Sequence, residues 1–144
     1  DFFLTNCCVR QGCILAPALF CRAIDWIMEH LSIEFGIQLG PNHLTDLDYA
    51  DDIVALGTSP NQLADFLSNF QQSAEKLGLK LNWTKTKIQN LGTGCPAPDI
   101  TVNGEIVEGV EEFTYLGSKM MSSGKSGPEI HRRIGMGSST MAAL

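Results

Sequence analysis

The sequence predicts an α+β fold, with helices packed on one face of an antiparallel sheet. Two stretches with apolar residues at helical spacing lie on either side of an acidic hairpin. A second group of short strands and turns follows them, and a weaker helical pattern ends the chain. Helices mixed with short antiparallel strands in this order are typical of an α+β layer.

The first helix is predicted to begin at Pro17, because proline suits the first helical position. Gly36 and the cluster Gly40-Pro41-Asn42 are expected to end it and to turn the chain. The apolar face between these points extends over about five turns. It comprises Phe20, Ile24, Ile27, Met28, Leu31 and Phe35.

The acidic hairpin is predicted over residues 44–56, where two apolar arms flank Ala50-Asp51-Asp52. Its tight connection should carry the acids. The apolar run from Ile53 to Leu56 is typical of a strand that is buried on both faces.

The second helix has a clear start, since Ser59 can cap it, Pro60 takes the first position and Gln62 completes a capping box. Gly78 is expected to end this helix. Its predicted buried face consists of Leu63, Phe66, Leu67, Phe70, Ala74 and Leu77.

The second half of the chain is predicted to contain short strands at residues 79–82, 88–91 and 113–116. Asn103-Gly104 is the signature of a type I′ hairpin turn. A flexible Ser/Gly-rich loop is expected at residues 120–127, before a last helix that begins at Pro128 and is weakened by Gly135 and Gly137.

Composition limits the class of protein. With 144 residues, 44% hydrophobic and 18% charged, the chain can form a globular core. Charges interrupt its apolar stretches well before the ~20 residues that a membrane span needs, and no signal peptide is visible. We therefore expect an intracellular protein, nuclear or cytoplasmic, that is neither secreted nor in a membrane. The chain lacks an initial Met and ends within a helical pattern, so we expect a fragment.

The net charge of −6 argues against a nucleic-acid-binding protein, whose surface is usually basic. The acids are concentrated in one segment, however, and the basic residues follow it, which suits a metal site beside a phosphate site. Ordinary solvated charge is the simpler interpretation. The five cysteines fit neither a zinc module nor a disulfide framework, and buried free thiols are expected.

Asp51 and Asp52 are the strongest candidates for chemistry. Adjacent carboxylates in an extended strand point to opposite faces, whereas at a hairpin tip both can turn towards one pair of divalent cations. Two such cations, about 3.5–4 Å apart, catalyse nucleotidyl transfer. An exposed acidic turn without metal is the alternative for this pair taken alone.

Five segments, taken in order, are the Gln-Gly loop and helix start at 9–20, Tyr49-Ala50-Asp51-Asp52, and residues 78–87, 113–118 and 129–134. Together they resemble the reverse transcriptase domain of non-LTR (LINE-type) retrotransposons. The resemblance covers nearly the whole chain and implies a partial polymerase palm over residues 1–118. A linker and the start of the first thumb helix would follow over residues 119–144.

The resemblance implies catalytic roles for Asp51 and Asp52 as ligands of Mg²⁺ or Mn²⁺, and for Lys85 as the acid that protonates the leaving pyrophosphate. Gln11 and Gly12 would lie beneath the nascent base pair. The implied partners are an RNA template, a DNA primer and deoxynucleoside triphosphates. Without the resemblance, Gln11-Gly12 is a turn before a helix and Lys85 is a solvated lysine.

Further binding roles follow from the same resemblance. Tyr49 would shape the sugar pocket, and the primer-grip residues would be Tyr115, Leu116 and Gly117. Arg132 and Arg133 would contact phosphates of the template and primer. Core packing of Tyr49, a strand end at residues 115–117 and exposed helix charge are the alternatives.

The chain also departs from the family. The family's third carboxylate and its fingers would precede residue 1, and Cys8 stands where the family usually has glycine. We therefore expect a polymerase fragment that is inactive alone. One alternative is a non-catalytic remnant that binds nucleic acid or protein, and another is an unrelated α+β metal-binding domain. The sequence makes no prediction of oligomeric state.

Overall fold

The computed structural model describes residues 12–92 and 95–142. Within them, three helices and small, mainly antiparallel sheets form an α+β fold, which confirms the predicted class. The chain divides into two compact units, the first ending at Leu81 and the second beginning at Asn82. Across the described residues, no helix is both long and apolar enough to cross a lipid bilayer.

The first unit contains two helices and two hairpins. Its elements are α1 (Ala16–Glu29), β1 (Ile37–Leu39), β2 (Asn42–Leu44), β3 (Asp46–Tyr49), β4 (Asp52–Ala55) and α2 (Pro60–Lys76). Strand β1 pairs with β2, and β3 pairs with β4, both antiparallel. Each hairpin is therefore made from strands that follow each other directly along the chain.

Helix α1 has Pro17 in its first turn, as predicted, but it ends at Glu29, so the predicted length of five turns is wrong. His30 leaves the helical conformation, and its Nδ1 lies 2.8 Å from the carbonyl oxygen of Trp26, which accepts the hydrogen bond. Phe35 is nevertheless buried, because the segment after the helix carries it to the ring of Phe66, at a centroid distance of 4.7 Å. Its helical spacing is therefore coincidental.

The predicted start of α2 is confirmed. The Ser59 hydroxyl accepts from the Gln62 backbone N–H at 3.3 Å, and Gln62 Oε1 accepts from the Thr58 N–H at 2.9 Å. The return bond thus reaches the residue before the cap, rather than the cap itself. The helix ends at Lys76, and Gly78 follows with φ 73°. Leu77 is exposed, so its predicted place on the buried face is wrong.

The core of the first unit lies between its two helices. Ile24 and Ile27 of α1 belong to the same buried cluster as three residues of α2, namely Phe66, Phe70 and Ala74. Ile53 and Ala55 of β4 are only partly buried and pack against this cluster, so the prediction of a strand buried on both faces is wrong. The hairpin is instead held on the helix pair by one of its faces.

The second unit contains a small sheet, a hairpin and a final helix. Its elements are β5 (Lys87–Ile88), β6 (Ile100–Val102), β7 (Glu105–Gly109), β8 (Glu112–Tyr115), β9 (Ser118–Met121) and α3 (Gly127–Ala142). The sheet has three strands in the order β5-β7-β6, and the hairpin consists of β8 and β9. Strand β5 runs parallel to β7, and the other pairs are antiparallel.

The strand predicted at residues 79–82 is wrong. Leu79 and Leu81 pack against the core of the first unit without forming a strand. Asn82 begins a turn, since its side-chain oxygen accepts from the Lys85 N–H at 3.2 Å and its carbonyl accepts from the N–H of Thr86 at 3.0 Å. Such local side-chain bonds compete with strand pairing.

The β6–β7 hairpin turns at Asn103-Gly104, with φ values of 52° and 88°, which confirms the predicted turn. Strand β9 lies partly within the segment that the sequence predicts as a loop. Gln89 joins the β8–β9 hairpin to the rest of the unit, since its Nε2 donates to the carbonyls of Glu111 and Met120.

Cysteine placement differs from expectation. Cys21 and Cys95 are exposed rather than buried, while Cys7 and Cys8 lie outside the described residues.

Candidate active site

The acidic hairpin places its carboxylates at the bend. Tyr49 pairs with Asp52, so Ala50 and Asp51 are the two loop residues and Asp52 is the first residue of β4. Both aspartates are exposed. The predicted hairpin is therefore confirmed, with Asp51 in its connection and Asp52 at the start of the strand that follows.

The backbone at this tip is unusual. Ala50 has φ 54°, in the left-handed region. In a two-residue hairpin loop, positive φ at the first position is where a type II′ turn normally has glycine. A residue with a Cβ costs about 1–2 kcal/mol there. Strain of this kind often lies at functional sites.

The two faces of the hairpin differ. Cross-strand partners share a face, so Asp46 and Asp48 lie with Ala55 and Ile53, on the side that packs against the helices. Asp52 lies on the other face with Tyr49, whose side chain is 65% exposed. Tyr49 and Asp52 are thus direct neighbours beside the tip.

Asp48 belongs to a separate acidic group. Partial burial, followed by the negative charges of Asp46 and of Asp25 on α1, raises the pKa of Asp48 to about 6. Since Asp48 and Asp52 lie on opposite faces of the hairpin, this group does not add a third carboxylate to the tip.

A shallow, almost entirely apolar groove adjoins the tip. Ala50 and Asp51 line it together with residues of α1, namely Ala16, Pro17, Phe20 and Cys21. The turn before α1 contains Gly12, with φ 82°, a conformation that glycine favours. Gln11 lies outside the described residues. The structure thus brings the start of α1 and Asp51 to one surface.

The remaining predicted site residues lie in the second unit. Lys85 is exposed, in the turn that Asn82 holds. Tyr115 pairs with Ser118, so Leu116 and Gly117 form the two-residue loop of the β8–β9 hairpin. Their φ values of 47° and 76° are those of a type I′ turn, although the first position holds leucine.

Glu129 has a role of its own that the sequence did not predict. It is 8% exposed and accepts hydrogen bonds from Arg132 Nε at 2.7 Å, Arg133 Nε at 2.6 Å and the Lys119 backbone N–H at 2.9 Å. The bonds from Arg132, then Arg133, then Lys119 hold the pKa of Glu129 well below its usual range. The available signal in the sequence is the spacing of Glu129 three and four residues before two arginines.

The reverse transcriptases that the sequence resembles generally use divalent metal ions. Within residues 12–92 and 95–142, no three His, Cys, Asp or Glu side chains are grouped so that they could hold a metal ion. The tip offers two exposed carboxylates, which suit a hard cation that also takes oxygen ligands from a substrate.

Comparison with known proteins identifies the family. A family model described as reverse transcriptase (RNA-dependent DNA polymerase) matches residues 1–120. An uncharacterized transposon-derived protein of Caenorhabditis elegans is 31% identical over 103 residues, which are 67% of this chain and 36% of that protein. The chain therefore spans about a third of the length of this relative. Given the extent of the family match, the chain belongs to the reverse transcriptase family.

Proposed function

We propose that this chain is the palm and the start of the thumb of a LINE-type reverse transcriptase. Residues 1–118 would form the palm part, and residues 119–144 the linker and first thumb helix. The observation that carries the proposal is the exposed Asp51-Asp52 pair at a hairpin tip beside the start of α1. The transposon-derived relative supports it.

Asp51 and Asp52 would hold Mg²⁺ or Mn²⁺. Such ions, when bound, activate the primer 3′-hydroxyl and stabilise the leaving pyrophosphate. The chain's own contribution is to hold both carboxylates on a short hairpin that packs against the helix core. Tyr49, directly opposite Asp52, would shape the sugar pocket.

The other residues would bind the substrates, which are an RNA template, a DNA primer and deoxynucleoside triphosphates. Gln11 and Gly12 would lie beneath the nascent base pair, and Lys85 would protonate the pyrophosphate. Tyr115, Leu116 and Gly117 would support the primer backbone. The basic start of α3, which carries Arg132 and Arg133, would face phosphates.

The chain would be inactive alone, because two carboxylates at the tip are one fewer than the family's active site uses. We place its activity in an intracellular, full-length protein. A non-catalytic remnant that binds nucleic acid or protein is the second candidate, and the net charge of −6 favours protein over nucleic acid as its partner.

Primer extension by the natural full-length protein tests the proposal. Asp51→Asn should lower the rate of primer extension by at least about 100-fold. Removing a residue that only hydrogen-bonds to a metal ligand already costs about 10- to 100-fold, and removing the ligand itself should cost more. Asp65→Asn, which changes an exposed acid on α2, is the matched control and should leave the rate unchanged. Equal rates for wild type and Asp51→Asn would overturn the catalytic assignment, and binding without incorporation would favour the remnant.

A further inference from the structure

The two neighbouring arginines of α3 are in different environments. Arg132 donates twice to Glu129, at 2.7 and 2.9 Å, and its Nη2 also donates to the Gly117 carbonyl at 2.6 Å. Its Nη1 lies 3.1 Å from the sulfur of Met136. The side chain is 34% exposed. Its guanidinium is therefore committed to partners within the second unit.

Arg133 makes fewer hydrogen bonds within the second unit than Arg132 does. Its Nε donates to Glu129 at 2.6 Å, while the side chain remains 63% exposed. A guanidinium has five N–H donors in a planar fork, so a bond from Nε leaves its outer edge for an external anion.

Glu129 links α3 to the β8–β9 hairpin. Its carboxylate accepts from the backbone N–H of Lys119, two residues after Gly117, while Arg132 binds the Gly117 carbonyl. The Lys119 side chain turns elsewhere, to Glu112 at 2.7 Å. Both ends of the segment from Gly117 to Lys119 are thereby attached to the start of the helix.

We propose that the two arginines have different tasks: Arg132 is a positioning residue that, with Glu129, fixes the Leu116-Gly117 turn, and Arg133 is the one that meets a nucleic-acid phosphate. The assignment of Arg133 rests on the proposed function. That of Arg132 rests on the hydrogen bonds alone.

Hydrogen exchange in the natural full-length protein tests the positioning role. Arg132→Gln should speed exchange of the amides of Ser118 and Lys119 by at least about tenfold, because the turn opens locally. Arg133→Gln should leave these rates unchanged. Protection of Val107 in the β6–β7 pair reports that the unit remains folded. Glu129→Gln, which keeps the side-chain shape, should act like Arg132→Gln.

Salt-dependent binding of a primer–template duplex tests the phosphate role. Arg133→Gln should weaken binding and reduce the slope of log affinity against log salt by about 0.9, the value for one phosphate contact. Arg132→Gln should leave that slope unchanged. This pair of variants removes the same charge from adjacent positions.

The outcomes are separable. Unchanged exchange in Arg132→Gln and Glu129→Gln overturns the positioning role, whatever happens in binding. A normal slope in Arg133→Gln, or a reduced slope in Arg132→Gln, overturns the division of tasks. If the wild type shows no salt-dependent affinity, the phosphate assignment fails together with the proposed function, while the exchange result still decides the role of Arg132.

Discussion

Two hairpins of the first unit have loops of equal length but different chemistry. The β1–β2 loop is Gly40-Pro41, with φ 60° at the glycine, and the β3–β4 loop is Ala50-Asp51, with φ 54° at the alanine. Both loops therefore need positive φ at their first position. Only the first has the residue that accepts it without steric cost.

The second unit repeats this difference. Asn103-Gly104 has the residues that a type I′ turn favours, whereas Leu116-Gly117 puts leucine at φ 47°. The two unfavourable turns are those that we propose for the metal carboxylates and the primer grip. Under the proposed function, both tips accept a steric cost where they present a particular side chain or backbone.

The largest effect is expected at the favourable turn. Gly40→Ala should lower the free energy of unfolding by about 1–2 kcal/mol, because it creates the strain already present at Ala50. The new Cβ has open space, so the cost is conformational. Urea unfolding with an unchanged m-value measures it. The control is Gly135→Ala in α3, which should stabilise the chain by about 1 kcal/mol. An unchanged free energy of unfolding in Gly40→Ala would contradict the idea that positive φ at this loop position is costly for a residue other than glycine.

The reverse change at the acidic tip should have a smaller effect. Ala50→Gly should raise the free energy of unfolding by about 0.5–1 kcal/mol, since relief of strain is partly offset by the greater freedom of glycine in the unfolded chain. Ala64→Gly in α2 is the control and should destabilise by about 1 kcal/mol. In the full-length protein we expect primer extension to fall despite the gain in stability. A rise in both would show that the strain serves no purpose.

The smallest effect concerns pH, because the Asp48 side chain is exposed and solvent screens its charge. The pKa of Asp48 is raised in the folded chain to about 6 from an ordinary value of 3.8. The folded state therefore binds this proton more tightly, and the contribution of Asp48 to stability falls as pH rises from about 4 to 6. Asp48→Asn should raise the urea midpoint at pH 7.5 and reduce its change between pH 4.5 and 7.5. Asp65→Asn should do neither, and a midpoint unchanged by Asp48→Asn would contradict the expectation.

Local signals were sufficient for several elements. The Ser59 cap, the Asn103-Gly104 turn and the acidic hairpin each depend on residues within a few positions of one another. Features that depend on tertiary packing were harder to predict from the sequence. The end of α1 at Glu29 could not be predicted from an apolar pattern that continues by coincidence to Phe35. Short strands such as β1 and β9 contain too few residues to show alternation.

The site shows the same limit. Motif resemblance points to Asp51, Asp52 and the arginines as candidates, but only the fold shows that Glu129 is buried and that Arg132 binds the Gly117 carbonyl. Both facts depend on how closely α3 approaches the β8–β9 hairpin. The spacing of residues along one helix cannot predict that approach.

Strand β3 presents its acids to the helix side and leaves Leu47, 47% exposed, with Tyr49 on the outer side. A shift of one residue in pairing would exchange these sides and bury the more apolar pair. Hydrophobic burial thus favours a competing alignment, and the native one depends on the length of its loop. Lengthening that loop by a single residue would offer the strand a second register, with the tyrosine inside and Asp46 and Asp48 on the outer face.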